Sequence, residues 1–329
     1  MDQGSSPIQT PTPELGVAGA VGGGAVARAH SISNVHRGSK SIALRDYAGS
    51  FMFVVPYLLF FLAFVLGPLL YALFVSTHRW TTVGGNLGFV GLRYYKALFD
   101  PSTLAFQDFW LGMRHTVLFV VITVPLLVAL SLSLALLLAN GPFRNFFRAV
   151  FYVPAVLSVT VACTIWLWIF QPGGIVNIYT HSGIQWLTTE PWAWITIIVA
   201  TLWWTVGFNM VVLLAGVQEV PNDYHEAAKI DGANAWQRVW KITIPLLRPI
   251  LAFITITQML ASFGLFGQVY ILTQGGPTRS TEPVILTILN TAFTGDQNLA
   301  LACAMSFVMA VILIFLAILQ IKFFKVGEA

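Results

Sequence analysis

The chain carries no Asp, Glu, Lys or Arg from Tyr47 to His78, a run that holds FMFVVPYLLFFLAFVLGPLLYALFV. A helix rising about 1.5 Å per residue needs about 20 apolar residues to cross the hydrocarbon core of a bilayer. The run therefore reads as one membrane span with length to spare. Five more charge-poor runs follow, from His115 to Phe143, Ala149 to Gln171, Pro191 to Gln218, Pro249 to Leu272 and Asn298 to Ile321. The apolar stretch after Ala149 extends to Thr189, but Gln171-Pro172-Gly173-Gly174 breaks it, and Asn177, Thr180, His181 and Ser182 make its remainder too polar to cross. Between Glu282 and Asp296 the piece PVILTILNTAFTG is too short to cross and reads as a surface or re-entrant helix beside the Gly275-Gly276-Pro277 turn. Six transmembrane helices result, an all-α polytopic membrane protein. Composition agrees, with 57% hydrophobic and 9% charged residues, where a soluble domain carries about 25% charged. That balance excludes a large soluble enzyme, a disordered chain and a nucleic-acid binder.

With six spans both termini share a side, and that side holds twelve of the seventeen basic residues. They are Arg28, Arg37, Lys40 and Arg45, then Arg144 and Arg148, then Lys229, Arg238, Lys241 and Arg248, then Lys322 and Lys325. The excess of basic residues in cytoplasmic loops places both termini in the cytoplasm. Residues 1–46, rich in Gly, Ala, Ser and Pro, read as a mobile cytoplasmic tail. Ala25-Val26-Ala27 has the small residues of a signal-peptidase site but no solid apolar segment before it, so a cleaved signal is not expected. Residues 47–111 form the first span and an external segment, and 112–325 form the remaining core, with a charged loop at 217–248. Pro56, Pro68, Pro125 and Pro154 are expected to kink their spans.

None of the six span cores contains Asp, Glu, Lys or Arg, the groups that pumps, ion-coupled carriers and voltage sensors place at membrane depth. Nor does the chain contain G-x-x-x-x-G-K-[ST], H-E-x-x-H or C-x-x-C. Cys163 and Cys303 lie inside apolar runs and are expected to pack as small hydrophobes. The motor is therefore sought outside this chain. Self-sufficient secondary transport stays open on the residues alone, because Na⁺ can be held by carbonyls and hydroxyls.

The densest folded charge lies in QEVPNDYHEAAKIDGANAWQRVWKITIPLLRP, which reads as two short helices. Asn222 or Asp223 is expected to cap the first, which runs from Tyr224 to Ile230. Gly232 supplies a left-handed turn. Ala235 to Thr243 forms the second helix, with Trp236, Val239, Trp240 and Thr243 at helical spacing, and Pro245 is expected to end it. Glu226-Ala227-Ala228, then Asp231-Gly232-Ala233, then Ile242-Thr243-Ile244-Pro245 resembles the EAA loop of binding-protein-dependent ABC importer permeases, with Ile244 where the family has Leu. Phe89-Val90-Gly91-Leu92-Arg93-Tyr94-Tyr95 resembles the external segment of sugar permeases. Leu272-Thr273-Gln274-Gly275-Gly276-Pro277 with Thr281-Glu282 is similar to a segment of the maltose-type first permease subunit.

The resemblance implies a type I ABC importer permease fold in a bacterial or archaeal cytoplasmic membrane, translocating a sugar or oligosaccharide inward by alternating access. It implies a second permease subunit, two nucleotide-binding ATPase subunits and an extracytoplasmic substrate-binding protein as partners. This chain would hold no cofactor, and ATP and Mg would be bound by the ATPase subunits. Glu226, Ala227, Ala228, Asp231 and Gly232 would couple to the ATPase, with Glu226 held by it and the alanines allowing close approach. A sugar path needs polar groups and flat aromatic faces. Gln258, Ala261, Ser262 and Leu265 share one stripe of span five, and Thr201, Trp204, Thr205 and Phe208 one stripe of span four. By the resemblance, the substrate-pathway residues are Trp203, Thr205, Phe208, Gln258 and Ser262. Asn209 and Asn290 are expected to hydrogen-bond between helices, and Trp204 is read equally as a residue of the span-four stripe or as an anchor at the membrane interface.

Overall fold

The computed structural model describes residues 52–139, 143–294 and 297–324. The expectations for the tail at 1–46 and for Lys325 lie outside them. The chain divides into two compact units, Met1–Pro68 and Leu69–Ala329, and the packing described below is internal to the second.

Helix α1, Met52–Ser76, has a mean hydropathy of 2.6 over its most apolar stretch. Pro68 has no N–H, and its ring crowds the carbonyl four residues back. A π-turn at Leu62–Leu66 precedes it, and the Gly67 N–H donates to the Leu62 carbonyl. Widening the ladder by one residue accommodates the proline without ending the helix.

The external segment adds a two-stranded antiparallel hairpin to the helical architecture, β1 His78–Thr81 and β2 Gly85–Phe89, with His78 opposite Phe89. Its turn is tied down by Thr82, whose hydroxyl donates to the Ala292 carbonyl at 2.7 Å and whose N–H donates to the Gln297 carbonyl at 3.0 Å. Helix α2, Arg93–Phe99, leads into α3, Leu104–Ala139, which has 36 residues. At about 1.5 Å per residue α3 is about 54 Å long, well beyond the ~30 Å hydrocarbon core. It therefore starts before the charge-free run at His115, and Asp108 and Arg114 ride on the protruding turns.

The expected span from Ala149 to Gln171 is two helices, α4 Arg144–Val156 and α5 Val159–Phe170. Pro154 sits in the last turn of α4, where Leu157 turns extended and its N–H donates to the Pro154 carbonyl. Ser158 then caps α5 by accepting from the Val161 N–H. The break thus falls at Leu157–Ser158, beyond Pro154, whereas Pro125 lies inside an unbroken α3. A short α6, Ile175–Thr180, precedes α7, Trp192–Glu219. The loop helices are α8, Asn222–Ile230, and α9, Ala235–Leu246. The expected fifth span is also divided, into α10 Arg248–Phe263 and α11 Gly267–Leu272. The short α12, Val284–Phe293, buries Val284, Leu286, Thr287 and Ala292, and α13, Leu299–Phe324, completes the fold. Among the described residues five helical stretches are long and apolar enough to cross a bilayer, or six with α9 and α10 counted as one bent span. The third is Val159–Thr180, α5 together with α6, so that this span begins later and reaches further than the expected Ala149–Gln171.

Helix α3 is the common axis of three apolar clusters. Its outer half packs Phe109, Met113 and Val120 with Phe263, Val284 and Met305. Phe119 joins Cys163, Ile197, Leu265 and Val269. Its inner end packs Ala135 and Leu138 with Met210, Leu213 and Ile254. Cys163 is buried and Cys303 half-buried, both with free thiols, as expected of packing groups. In α7, Gly207 lies so close to the Phe151–Tyr152 backbone of α4 that a Cβ there would collide with it. Small residues at such contacts let transmembrane helices approach closely.

Candidate functional site

At the cytoplasmic end, α8 ends in a complete Schellman motif. The Ala233 N–H donates to the Ala228 carbonyl at 2.8 Å and the Gly232 N–H to the Lys229 carbonyl at 3.0 Å. Gly232 takes φ +78°, a left-handed conformation that costs a residue with a Cβ about 1–2 kcal/mol. This explains the spacing of the motif, since the second alanine of the triplet supplies the carbonyl that the turn closes on. Ala228 is buried within this chain, while Glu226, Ala227, Asp231 and Gly232 are exposed. Pro221, and neither Asn222 nor Asp223, occupies the cap position of α8, with no side-chain cap bond. Proline favours an extended residue before it, so Val220 is extended and the helix opens two residues earlier than expected, at Asn222. Helix α9 does have a side-chain cap. Asn234 accepts from the Gln237 N–H at 2.8 Å and its own N–H donates to Gln237 Oε1 at 2.9 Å, a capping box that the loop's charge pattern did not reveal. Pro245 does not end α9. A π-turn at Val239–Thr243 precedes it, the Ile244 N–H donates to the Val239 carbonyl, and the helix continues to Leu246.

At the break in span three, α4, α7 and α10 enclose a 170 Å³ cavity lined by Tyr152, Ala155, Trp204, Thr205, Phe208 and Gln258. Thr205, Phe208 and Gln258 thus meet in one cavity. Gln258 Nε2 donates to Asn209 Oδ1 at 3.0 Å, and Asn209 Nδ2 donates to the Thr205 carbonyl at 3.1 Å. Asn209 therefore bonds between helices as expected. Of the two readings of Trp204, the structure shows the stripe residue: it lines the cavity, and its indole N–H donates to the Leu157 carbonyl at 3.0 Å, satisfying a group that the helix break releases. Non-helical backbone at membrane depth is tolerated where protein covers it or where it lines a cavity, and this break has both. Trp203 and Ser262 do not line the cavity. Trp203 meets Trp166 edge-on at 5.8 Å, in an aromatic series that continues through Phe170 and Trp186. Ser262 is 8% exposed in the last turn of α10.

A second cavity of 380 Å³ adjoins the first, sharing Tyr152 and Phe208 and extending along Val211 and Val212 to Arg148. Nε and Nη2 of Arg148 are occluded and have no hydrogen-bond partner among the described residues. Tyr152 and Arg148 were missed because nothing in the pattern of span three distinguishes the turn that faces α7.

At the outer end a 560 Å³ cavity is lined in part by Asp108, Gln274, Arg279, Glu282 and Asn290. Arg279 binds Glu282 at 2.5 Å and Asp108 at 2.7 Å. The hydrogen bond to Glu282 is the main cause of the raised pKa of its guanidinium. Asn290 donates to Glu282 at 3.1 Å, a residue just before its own helix, so its bond is local and not the interhelical one expected. Thr281 donates to the Gly276 carbonyl at 2.6 Å and pairs with Thr273 at 2.8 Å. The Leu272–Glu282 segment is thus a self-bonded knot clamped to α3.

The profile of the family described as binding-protein-dependent transport system inner membrane component matches residues 127–324. The lactose transport system permease protein of Rhizobium radiobacter is 33% identical over 86% of this chain and 96% of its own length. The trehalose/maltose transport system permease protein of Thermococcus litoralis is 31% identical over 88% of this chain and 97% of its own. The sn-glycerol-3-phosphate transport system permease protein of Agrobacterium fabrum is 31% identical over 83% of this chain and 93% of its own. A crystal structure of a bacterial ABC transporter involved in import of the acidic polysaccharide alginate superposes with a TM-score of 0.75 at 21% identity, covering 88% of this chain and 98% of that one. It shares the fold.

Proposed function

Because the chain belongs to the family of binding-protein-dependent transport system inner membrane components, we propose that its cargo is a sugar or oligosaccharide and that its motor is a cytosolic ATPase seated on the 217–248 loop. The chain is a multi-pass inner-membrane permease subunit of an ABC importer, and the transport step is inward translocation. The relatives named for lactose and for trehalose/maltose support the cargo class.

The observation that carries the reading is the pairing of a preformed coupling loop at one end with a polar-aromatic cavity at a helix break. At 170 Å³ the cavity is smaller than the ~300–1,000 Å³ of complete ligand pockets. It therefore acts as half of a site, completed by a second permease subunit across Phe208. Thr205 and Gln258 present hydrogen-bonding groups to sugar hydroxyls, and Tyr152, Trp204 and Phe208 present ring faces. Trp203 and Ser262 act behind this wall. Glu226, Ala227, Asp231 and Gly232 meet two nucleotide-binding subunits in the assembled complex, one for each permease, and Ala228 sets the turn that presents them. ATP and Mg are held by those subunits. Their closure swings the loop and, through Leu247, span five, so that the cavity opens to alternate sides. An extracytoplasmic binding protein delivers the sugar.

The test is uptake in proteoliposomes holding the assembled importer with its binding protein. Sugar uptake is expected to require ATP and to be abolished by Glu226→Ala. Uptake without ATP, or uptake indifferent to that substitution, would overturn the reading in favour of self-sufficient transport.

A further inference from the structure

The two helices of the cytoplasmic loop differ in charge. Residues 222–232 contain Asp223, Glu226, Lys229 and Asp231, whereas residues 233–249 contain Arg238, Lys241 and Arg248 and no acid at all. They also differ in surface. Trp236 and Trp240 lie one turn apart on α9, 69% and 53% exposed, with ring centroids 5.5 Å apart. Gln237 and Lys241 continue the same exposed stripe, while Thr243 faces inward and is buried. Two exposed indoles beside basic groups do not suit a face left in water.

The direction of α9 identifies its surroundings. It meets α10, the start of span five, at 69°. A span standing near the bilayer normal therefore sets α9 close to the membrane plane. Over its length α9 departs little from the level of Arg248, where the hydrocarbon core begins. A helix in that plane, with Trp among Lys and Arg, has the character of an interfacial helix, and the cytoplasmic leaflet supplies the opposing negative charge.

We propose that α9 is a membrane-surface anchor, in which Trp236 and Trp240 enter the cytoplasmic headgroup layer and the exposed Lys241 and Arg248 take the phosphates of anionic phospholipids. The acidic α8 is then the half of the loop left to a protein partner, and α9 is the fixed bearing against which α8 turns span five. The assignment rests on the orientation and loop described above, not on the identity of the cargo.

Depth measurement tests it without transport. Spin labels are placed singly at W236C, W240C and, as a water-side control on α8, I230C, in the full assembled importer in nanodiscs, on a C163A/C303A background. Labels at 236 and 240 are expected to collide with lipid-dissolved oxygen in preference to an aqueous nickel chelate, and the label at 230 to do the reverse. In vesicles, loss of one basic contact by K241Q is expected to lower the affinity of the importer for phosphatidylglycerol about fivefold, the factor for about 1 kcal/mol per basic residue. The proposal is overturned if 236 and 240 match 230. It is also overturned if their shielding requires the ATPase subunit, or if it disappears when residues 1–46 are deleted, since a protein surface or the tail would then be the occupant. None of these outcomes depends on whether a sugar is carried.

Discussion

At the scale of the residue, the positions that decide this protein are those where an atom more or less changes a backbone contact. Gly207 is one. Its missing Cβ lets α7 rest on the Phe151–Tyr152 backbone of α4, and this contact forms one wall of the cavity at Tyr152 and Phe208. Gly207→Ala has no flexible side chain to displace, so the helices must separate. The expected loss is about 1–3 kcal/mol, the range for overpacking, read as a lower midpoint of thermal unfolding in detergent. An unchanged midpoint would mean that α4 is not held there. Trp204 and Gln258 show the same economy in polar groups. One closes the carbonyl freed at Leu157, and the other ties span five to Asn209. Each bond is modest, since interhelical hydrogen bonds in membranes average about 0.6 kcal/mol, but each fixes a side chain that the cavity needs.

Among elements, the short broken helices matter more than the long spans. Helices α4, α5, α10 and α11 arise because breaks at Leu157–Ser158 and Gly264 interrupt two runs whose apolar composition continues across the interruption. The loop is built with equal care, from a Schellman motif at one turn and a capping box at the next start. Asn234→Ala removes one half of that box, and caps of this kind contribute about 1 kcal/mol. The variant is expected to fold and assemble but to fray the start of α9, seen as faster amide exchange at 235–238 and a lower sugar uptake per ATP hydrolysed. Unaltered exchange there would show that neighbouring contacts, and not the box, hold the turn. Two π-turns, one before Pro68 and one before Pro245, act alike, since each lets a helix continue through a proline.

For the whole molecule, the cavity beside Phe208 is the feature that looks outward. Phe208 is 52% exposed at mid-span, a surface that the proposed second permease subunit would cover. Phe208→Cys is therefore expected to react with a water-soluble thiol reagent in the resting importer. Cargo bound in the path is expected to slow that reaction several-fold, and a reaction rate blind to cargo would place the path elsewhere. The number of spans, the cytoplasmic side and the division of the loop were legible from residues 47–321, because hydrocarbon demands length and low charge and because Lys and Arg mark one side. The loop motif was legible because Glu226, Ala228 and Gly232 occupy fixed steps of one local turn, and local turns are written in local sequence. Thr205, Phe208 and Gln258 could be proposed from helical spacing and resemblance. Tyr152, Trp204 as a backbone partner, Arg148 and the exclusion of Trp203 and Ser262 from the cavity wall could not. In a membrane every face of a span is apolar, so periodicity loses the contrast between core and surface that it has in water. The sequence by itself determined what crosses the membrane and which way it faces. Only the tertiary structure decided where two spans break and which faces meet, because those depend on backbone approach at Gly207 and on the partners found for freed carbonyls, contacts made between residues far apart in the chain.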